Sequence, residues 1–412
     1  RPGGNFAPGS RGRTVTARNR TARSLVTAEV ALALLLLSGA GLLIESLRRA
    51  SHVDLGFQKE HALTMRLQLS NRRYPDGRRV QAFREELLRR VQALPGVQYA
   101  GTVSSLPMGL IMQNTDFAVE GRPEAGTEKP SASYSNISTD YLRAMGIPLI
   151  AGRYFARSDG PAAPPVAIVS ESLARDWWSQ GSALGKRIQF DGTWFTIVGI
   201  AKDVHQYSPE REARDQIYAL NHQLPLTSQG AEMGRFNVLV VRTAADPGGI
   251  AAAVRREVAQ IDKDQPVTVE TLDQIVERTL ESRRLNTLLL GLFAALAVTL
   301  AAVGVFGVGS YAVARRTKEI GIRMALGATP ASVLRMVAKE SLLLALAGAV
   351  VGLGGTAAAS RLLSRFLYGV SPTEPAILAG VAVALVAVVL ASGLIPARRA
   401  MRVDPIVALR ED

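Results

Sequence analysis

The chain has 412 residues, of which 48% are hydrophobic and 20% are charged, with a net charge of +13 at pH 7 and no cysteine. The lack of cysteine excludes disulfide bonds and cysteine-ligated metals. The mean hydropathy of +0.14 averages two kinds of sequence, because four long apolar runs flank a segment of ordinary soluble composition. This distribution is typical of a membrane protein with one large domain outside the bilayer.

The N-terminal residues 1–24 are basic, contain no acidic residue and open with a Pro/Gly/Ser-rich stretch, which predicts a cytoplasmic linker. Because the chain begins with Arg1 rather than Met, we expect it to be a piece of a longer polypeptide. The first apolar run, residues 25–47, exceeds the length of about 20 residues that crosses the hydrocarbon core.

Glu29 lies within this first run and has two interpretations. It forms an ion or proton site, or its carboxylate reaches the interface or pairs with the basic flank. The second interpretation is favoured, because Glu29 is near the end of the run, where a charge costs less than at the bilayer centre.

Residues 48–284 form the predicted external domain. Alternating apolar residues at 62–69 predict a half-buried strand, with Thr64 and Arg66 on its polar face. Next, a stripe of apolar residues at helical period predicts a helix over 77–93, and a strand is predicted at 97–105. A similar unit recurs near the end of the domain, with a strand at 236–242, a helix at 247–261 and a strand at 266–270. Two such β-α-β units predict a ferredoxin-like subdomain of the porter type.

The segment between these two units, residues 138–226, predicts a second α+β subdomain inserted into the first. Its predicted strands cover residues 166–169, 187–190 and 194–200, and its predicted helix covers 171–178.

The end of the external domain leads into the second crossing. Thr271 and Gln274 have the spacing of a capping box, and apolar residues follow at helical period. No Gly or Pro intervenes as far as Leu290. We therefore expect one continuous helix that runs from the external domain into the membrane and transmits displacement.

The remaining apolar runs cover residues 285–314, 341–363 and 376–395. Lys and Arg concentrate before the first run, between the second and third, and after the fourth, whereas residues 364–375 hold one Arg and one Glu. The positive-inside rule therefore places both termini in the cytoplasm and the large domain outside. Much of the basic excess lies next to the membrane, where it meets anionic lipid, so a nucleic-acid partner is not expected.

No catalytic constellation is recognisable in the sequence. The four histidines are scattered, no G-x-S-x-G motif is present, and no P-loop is present that could bind ATP. We therefore expect no enzyme activity, no metal and no bound cofactor. Small residues within the apolar runs indicate helix packing, within the chain or against a second subunit. The small residues expected at these helix contacts are Gly304, Gly307, Gly348 and Gly352.

The basic loop between the second and third runs has a helical signature. Glu319 and Arg323 form an i,i+4 pair, and Gly327 can end a short helix. Thr329 suits an N-cap and Pro330 the first position of the next helix. The short helix is either a basic anchor in the lipid headgroups or a docking helix for a cytoplasmic motor.

At these residues the chain resembles the FtsX/MacB-type permeases of ABC transporters. Residues 288–297 and 316–330 resemble the permease domain, and residues 395–400, 404–405 and 408–409 resemble its C-terminal signature. Residues 29–47 are similar to the first crossing of MacB-like permeases. The chain resembles in particular the C-terminal half of the duplicated acidobacterial-type permeases.

The resemblance implies a MacB-like periplasmic core domain at 48–284 and an FtsX-like permease domain at 285–412, in a bacterial inner membrane. It implies that a cytoplasmic ATPase partner binds ATP and docks on a coupling helix in the loop. The residues assigned to that helix are Arg316, Lys318, Glu319, Ile320, Gly321, Ile322, Arg323, Met324 and Gly327.

The other partners implied are a second permease half or a second copy of the chain, a periplasmic adaptor, and membrane lipids. The function expected is coupling of ATP hydrolysis to export of a hydrophobic compound, peptide or lipoprotein. The alternative is an FtsX-like regulatory scaffold that controls a periplasmic partner such as a cell-wall hydrolase. An external membrane-tethered enzyme has little support.

Overall fold

The computed structural model describes residues 10–109, 113–122, 130–179, 181–209, 211–224, 236–315, 329–364 and 367–400. The chain divides into an α+β unit, His52–Glu281, and a helical unit made of the residues before and after it. The helices are α1 (Ser10–Ser51), α2 (Gly77–Gln92), α3 (Tyr141–Met145), α4 (Glu171–Trp177), α5 (Ala251–Ile261), α6 (Leu272–Arg315), α7 (Pro330–Ala358), α8 (Ser360–Leu363) and α9 (Pro375–Ala400).

The strands of the α+β unit belong to one sheet. They are β1 (Ala62–Gln68), β2 (Val97–Val103), β3 (Asn114–Asp116), β4 (Ala118–Val119), β5 (Ser131–Ile137), β6 (Leu149–Gly152), β7 (Val166–Ser170), β8 (Arg187–Phe190), β9 (Thr193–Ala201), β10 (Gln216–Leu220), β11 (Phe236–Thr243) and β12 (Val267–Thr271). A 3-10 turn, Pro247–Ile250, precedes α5.

The first half of the sheet has the strand order β12-β1-β11-β2, and all its neighbours are antiparallel. Helices α2 and α5 pack on one face, where Phe83 and Leu87 of α2 meet Met65 of β1 and Leu239 of β11 in a buried cluster. Two β-α-β units interleaved in this way form a ferredoxin-like subdomain. The predicted fold of this part is confirmed.

The inserted segment continues the same sheet through the order β5-β10-β7-β9-β8-β4, with β3 beside β5 and β6 beside β9. The two halves meet where Val103 of β2 pairs with Ile137 of β5, and the Ser104 and Ser138 amides donate to the Asn136 and Thr102 carbonyl oxygens beside this pair, both at 2.9 Å. The insert has its own core, in which the rings of Phe190 and Phe195 stack at 4.2 Å. Its strands begin at Asn114, before the predicted boundary at residue 138.

The face of the first half that turns away from α2 and α5 is also covered. Thr64 is 1% exposed, although the alternation predicts a polar, outward face for β1. Three segments cover this face: the chain after β2, helix α3 and the start of α6. They contribute Leu106, Tyr141 and Leu272, respectively. The half-buried strand predicted at β1 is therefore buried on both sides over most of its length.

Helix α3 lies very close to β2. A Cβ atom added at Gly101 would come within 2.4 Å of Tyr141 Cα. Nearby, the buried Arg242 guanidinium donates to the carbonyl oxygens of Ala144 at 2.8 Å, Glu60 at 3.0 Å and Gln58 at 2.7 Å. Burial lowers the pKa of the Arg242 guanidinium. These contacts tie α3 and the chain before β1 to the sheet.

Within its described residues, the helical unit contains four segments that are long and apolar enough to cross a membrane. They are Thr21–Ser51, Arg283–Arg315, Leu334–Ala358 and Pro375–Pro396. Helix α1 begins at Ser10, so residues 10–24 of the predicted linker are helical rather than irregular. The arginines and alanines of this stretch favour helix, and the helix includes Gly12 although glycine does not favour it.

The fourth crossing, Pro375–Pro396, agrees with the predicted run 376–395, whereas the third, Leu334–Ala358, differs from the predicted run at both ends. The predicted run 341–363 corresponds to α7, which begins earlier and ends at Ala358, with the separate turn α8 beyond it. Thr329 is the N-cap of α7 and Pro330 its first residue, as predicted. Helix α9 continues past Pro396 to Ala400, beyond the predicted end at residue 395.

Small residues set the contact between α1 and α7. A Cβ added at Gly348 would lie 2.5 Å from Val30 Cγ1, and one added at Gly352 would lie 2.8 Å from the Ala31 carbonyl oxygen. The helix backbones can approach this closely only because these positions carry no side chain. Gly307 faces open space among the described residues, so it does not take part in such a contact here.

Replacement of Gly101 by Ala is expected to destabilise the α+β unit by about 1–3 kcal/mol, because the new methyl group overlaps backbone atoms of α3 that cannot rotate away. Chemical denaturation monitored by tryptophan fluorescence measures the loss. Gly249→Ala is the control, since a Cβ there meets no described atom within 4 Å. Equal stability of the two variants would contradict the close approach of α3 to β2.

Replacement of Gly352 by Leu is expected to separate α1 from α7 and to lower the free energy of unfolding of the helical unit by about 1–3 kcal/mol. Gly354→Leu adds the same volume two residues away at an exposed position and should be tolerated. Thermal unfolding in detergent, measured by the loss of monodisperse protein, compares the two. A larger loss for Gly354→Leu would contradict the packing described.

Candidate functional site

The junction between the sheet and α6 has no linker. Thr271 is the last residue of β12, and Leu272 is the first residue of α6. The Thr271 amide donates to Gln274 Oε1 at 3.0 Å, and the Gln274 amide donates to Thr271 Oγ1 at 3.2 Å. These reciprocal bonds satisfy two backbone donors at the helix start and confirm the predicted capping box.

Apolar side chains hold the first turns of α6 against the sheet. Leu272, Ile275 and Val276 are at most 5% exposed and belong to the core on the α3 side of the sheet. Burying one such side chain contributes roughly 1.5–3 kcal/mol. The direction in which α6 leaves the sheet is therefore set mainly by packing.

Two ion pairs flank this packed segment. Lys59 Nζ lies 2.6 Å from Asp273 Oδ1, and Arg278 Nη2 lies 2.5 Å from Glu270 Oε1. The bond to Glu270 raises the pKa of the Arg278 guanidinium. Exposed pairs of this kind contribute about 0–1 kcal/mol, less than the apolar contacts, so they orient the helix start rather than anchor it.

Helix α6 is unbroken over 44 residues. At 1.5 Å per residue it is roughly 66 Å long, which exceeds the ~30 Å hydrocarbon core. Beyond the α+β unit it exposes large apolar side chains, including Leu285, Leu292 and Leu300, each more than half exposed. Such an exposed apolar surface suits lipid, and the predicted continuous helix is confirmed.

Glu29 of α1 occupies space left by a glycine. Its Oε2 atom would lie 2.4 Å from a Cβ built at Gly304 of α6, and this oxygen is buried with no hydrogen-bond partner among the described residues. Arg23, the described arginine nearest to Glu29 in the preceding sequence, forms an ion pair with Glu340 of α7 instead. Gly304 thus makes room for a carboxylate inside the helical unit.

The residues assigned to the ATPase-coupling helix lie outside the described residues, from Arg316 to Gly327. The nearest described residue is Arg315 at the end of α6, whose guanidinium lies 6.0 Å from the centre of the Tyr311 ring. The docking assignment stays a prediction.

Metal ligands can be sought only among the residues that the structure describes. None of them form a group of three or more His, Asp or Glu suited to a metal ion. Ring nitrogens of His61, His205 and His222 lie 2.7–3.2 Å from backbone carbonyl oxygens. These histidines therefore have structural partners.

Sequence reasoning missed the contacts that position the junction. The Lys59–Asp273 pair joins residues 214 positions apart, and the three carbonyl acceptors of Arg242 come from three different residues that precede α6 in the chain. No local pattern marks such pairs, because they exist only once the sheet has formed. The capping box was recognisable because its two residues are three apart.

The chain matches two family models. A model of the FtsX-like permease C-terminal domain covers residues 291–405. A model of the MacB-like periplasmic core domain covers residues 26–261, which is more than half of the chain.

Curated relatives agree with these matches. The macrolide export ATP-binding/permease protein MacB of Agrobacterium fabrum is 29% identical over 294 residues, covering 68% of this chain and 44% of that protein. The pyoverdine export ATP-binding/permease protein PvdT of Pseudomonas savastanoi pv. phaseolicola is 29% identical over 281 residues, covering 66% and 42%. The uncharacterized ABC transporter permease YknZ of Bacillus subtilis is 25% identical over 289 residues, covering 69% and 71%.

The chain thus spans less than half the length of the MacB and PvdT relatives and most of the length of YknZ. Together the two models cover both parts of the fold. One covers most of the α+β unit, and the other covers most of the last three crossings. The chain belongs to the family of FtsX-like ABC transporter permeases with a MacB-like periplasmic core domain.

Proposed function

We propose that this chain is the permease subunit of an ABC transporter, in which ATP hydrolysis by a separate cytoplasmic ATPase changes the conformation of the α+β unit. The observation that carries the proposal is α6, a single helix that begins at a capped strand end and continues to Arg315. A helix without Gly or Pro near its start resists bending, so displacement at one end reaches the other.

The basic segments favour an orientation with both termini and the loop after α6 in the cytoplasm of a bacterial inner membrane. The α+β unit is then periplasmic. ATP is bound by the partner, because the sequence contains no P-loop. A second permease half or a second copy completes the transporter, and a periplasmic adaptor and membrane lipids are further partners.

Export is the transport direction that the relatives support, since the names of two of them specify export of macrolides and of pyoverdine. These compounds differ, so the class proposed for this chain stays broad: a hydrophobic compound, a peptide or a lipoprotein. The alternative is the FtsX-like scaffold, which would pass the same motion to a periplasmic hydrolase without moving a substrate.

The coupling helix is testable by charge exchange. Glu319→Arg and Arg323→Glu each reverse one charge and break the i,i+4 pair, whereas the double exchange restores the pair with inverted polarity. If the helix docks on the ATPase, all three variants should reduce ATPase co-purification and stimulated ATP turnover by about tenfold or more, because like charges then meet across the interface.

A purely intrahelical role predicts a different pattern, in which the double exchange recovers the activity lost in the single variants. Arg72→Glu is the charge control, since Arg72 is an exposed residue of the α+β unit. Unchanged ATPase binding in both single variants would contradict the docking assignment. ATP-dependent activation of a hydrolase without export would instead favour the regulatory scaffold.

A further inference from the structure

A cavity of about 390 Å³ opens on the face of the ferredoxin-like sheet that turns away from α2 and α5. Arg66 of β1 lies opposite Val238 of β11 and Thr268 of β12, so these three side chains form one row across that face. The segment after β2 contributes Ser104 and Leu106 to the wall. The cavity therefore lies at the end of the sheet face that α3 and α6 leave uncovered.

Arg66 is partly buried and differs in its contacts from the buried arginines of this subdomain. Arg84 donates to Asn237 Oδ1 at 2.7 Å, and Arg242 donates to three carbonyl oxygens. The Nε atom of Arg66 is buried without a hydrogen-bond partner in the described part of the chain. None of the described lining residues is acidic. A guanidinium with an unused donor therefore borders the cavity.

Much of the wall is apolar, and on this face Leu106, Val238 and Pro266 line the space. The side chains of Leu67 and Val267 pack in the core on the α2 and α5 side. The volume falls at the lower end of the ~300–1,000 Å³ range of small-molecule sites. A small inorganic anion would leave this apolar wall in contact with water, whereas an anion with an apolar chain would cover it.

We propose that this cavity binds an amphipathic carboxylate, with its head on the Arg66 guanidinium and its apolar chain along Leu106 and Val238. A guanidinium matches the planar carboxylate and can form charge-assisted hydrogen bonds with it. The carboxylate belongs to a free fatty acid or to the C-terminus of an apolar peptide. Binding does not depend on the proposed transport, so either can fail without the other.

Photo-crosslinking of the full chain in lipid nanodiscs tests the site, with a diazirine-bearing decanoate as the probe and mass spectrometry to locate the adduct. We expect adducts on β1, β12 and the segment after β2. Arg66→Met should reduce them by about tenfold or more, because the charged partner of the head is lost. Arg66→Lys should retain most of the labelling, and Arg72→Met should label like the unaltered chain.

Competition with unlabelled compounds identifies the chemical group that the cavity binds. Unlabelled decanoate should displace the probe, whereas decanol and acetate should not. Competition by tetraleucine but not by its amide would support a peptide C-terminus as the natural carboxylate, and competition by decanoate alone would support a fatty acid. Full labelling of an Arg66→Met variant with unchanged thermal stability would overturn the proposal, as would displacement by decanol or acetate.

Discussion

The structure depends on one constraint, the direct transition from β12 to α6. Strand β12 is held by β1, and its last residue, Thr271, caps the helix that follows. Because no residue lies between strand and helix, the register of the sheet also sets the position and direction of the helix start. The burial of Leu272 secures this direction more strongly than the exposed ion pairs do.

The helical unit obeys a different physical rule. Lipid provides no hydrophobic driving force between helices, so close packing takes its place. Gly348 and Gly352 let α7 approach α1, and Gly304 accepts the Glu29 carboxylate. A further contact of this kind joins α9 to α7, where a Cβ added at Gly393 would lie 2.2 Å from Ser341 Oγ. In this unit the glycines determine which helices come into close contact as much as the larger side chains do.

Local patterns predicted the elements whose signals lie within a few residues. The alternation in β1, the capping box at Thr271 and the apolar crossings are of this kind. Strand β5 was not predicted because serines interrupt its apolar pattern, yet Ser133 and Ser135 are buried in the folded unit. Its pairing with β10, about 80 residues later, is what makes it a strand. Burial of that sort depends on partners that no local window contains.

The dependence on distant partners also explains which parts of the candidate sites could be predicted. The polar face of β1 was predicted to meet solvent, and only the tertiary structure shows that Arg66 borders a cavity on that face. The start of α6 was predictable because its cap is local, whereas Lys59 and Arg278 needed the folded sheet to find their partners. The loop assigned to the ATPase rests on sequence resemblance, and its test is therefore functional.

In the proposed mechanism, α6 transmits the effect of nucleotide to the α+β unit. Hydrogen–deuterium exchange of residues 52–281 tests this transmission. The exchange is measured in the complex with the ATPase, before and after ATP addition, and the variants compared are Glu281→Pro and Glu281→Ala. Proline removes a helix hydrogen bond and clashes with the preceding turn, whereas alanine favours the helix. We expect the nucleotide-dependent change in exchange to persist in Glu281→Ala and to disappear in Glu281→Pro. Its persistence in Glu281→Pro would contradict transmission through α6.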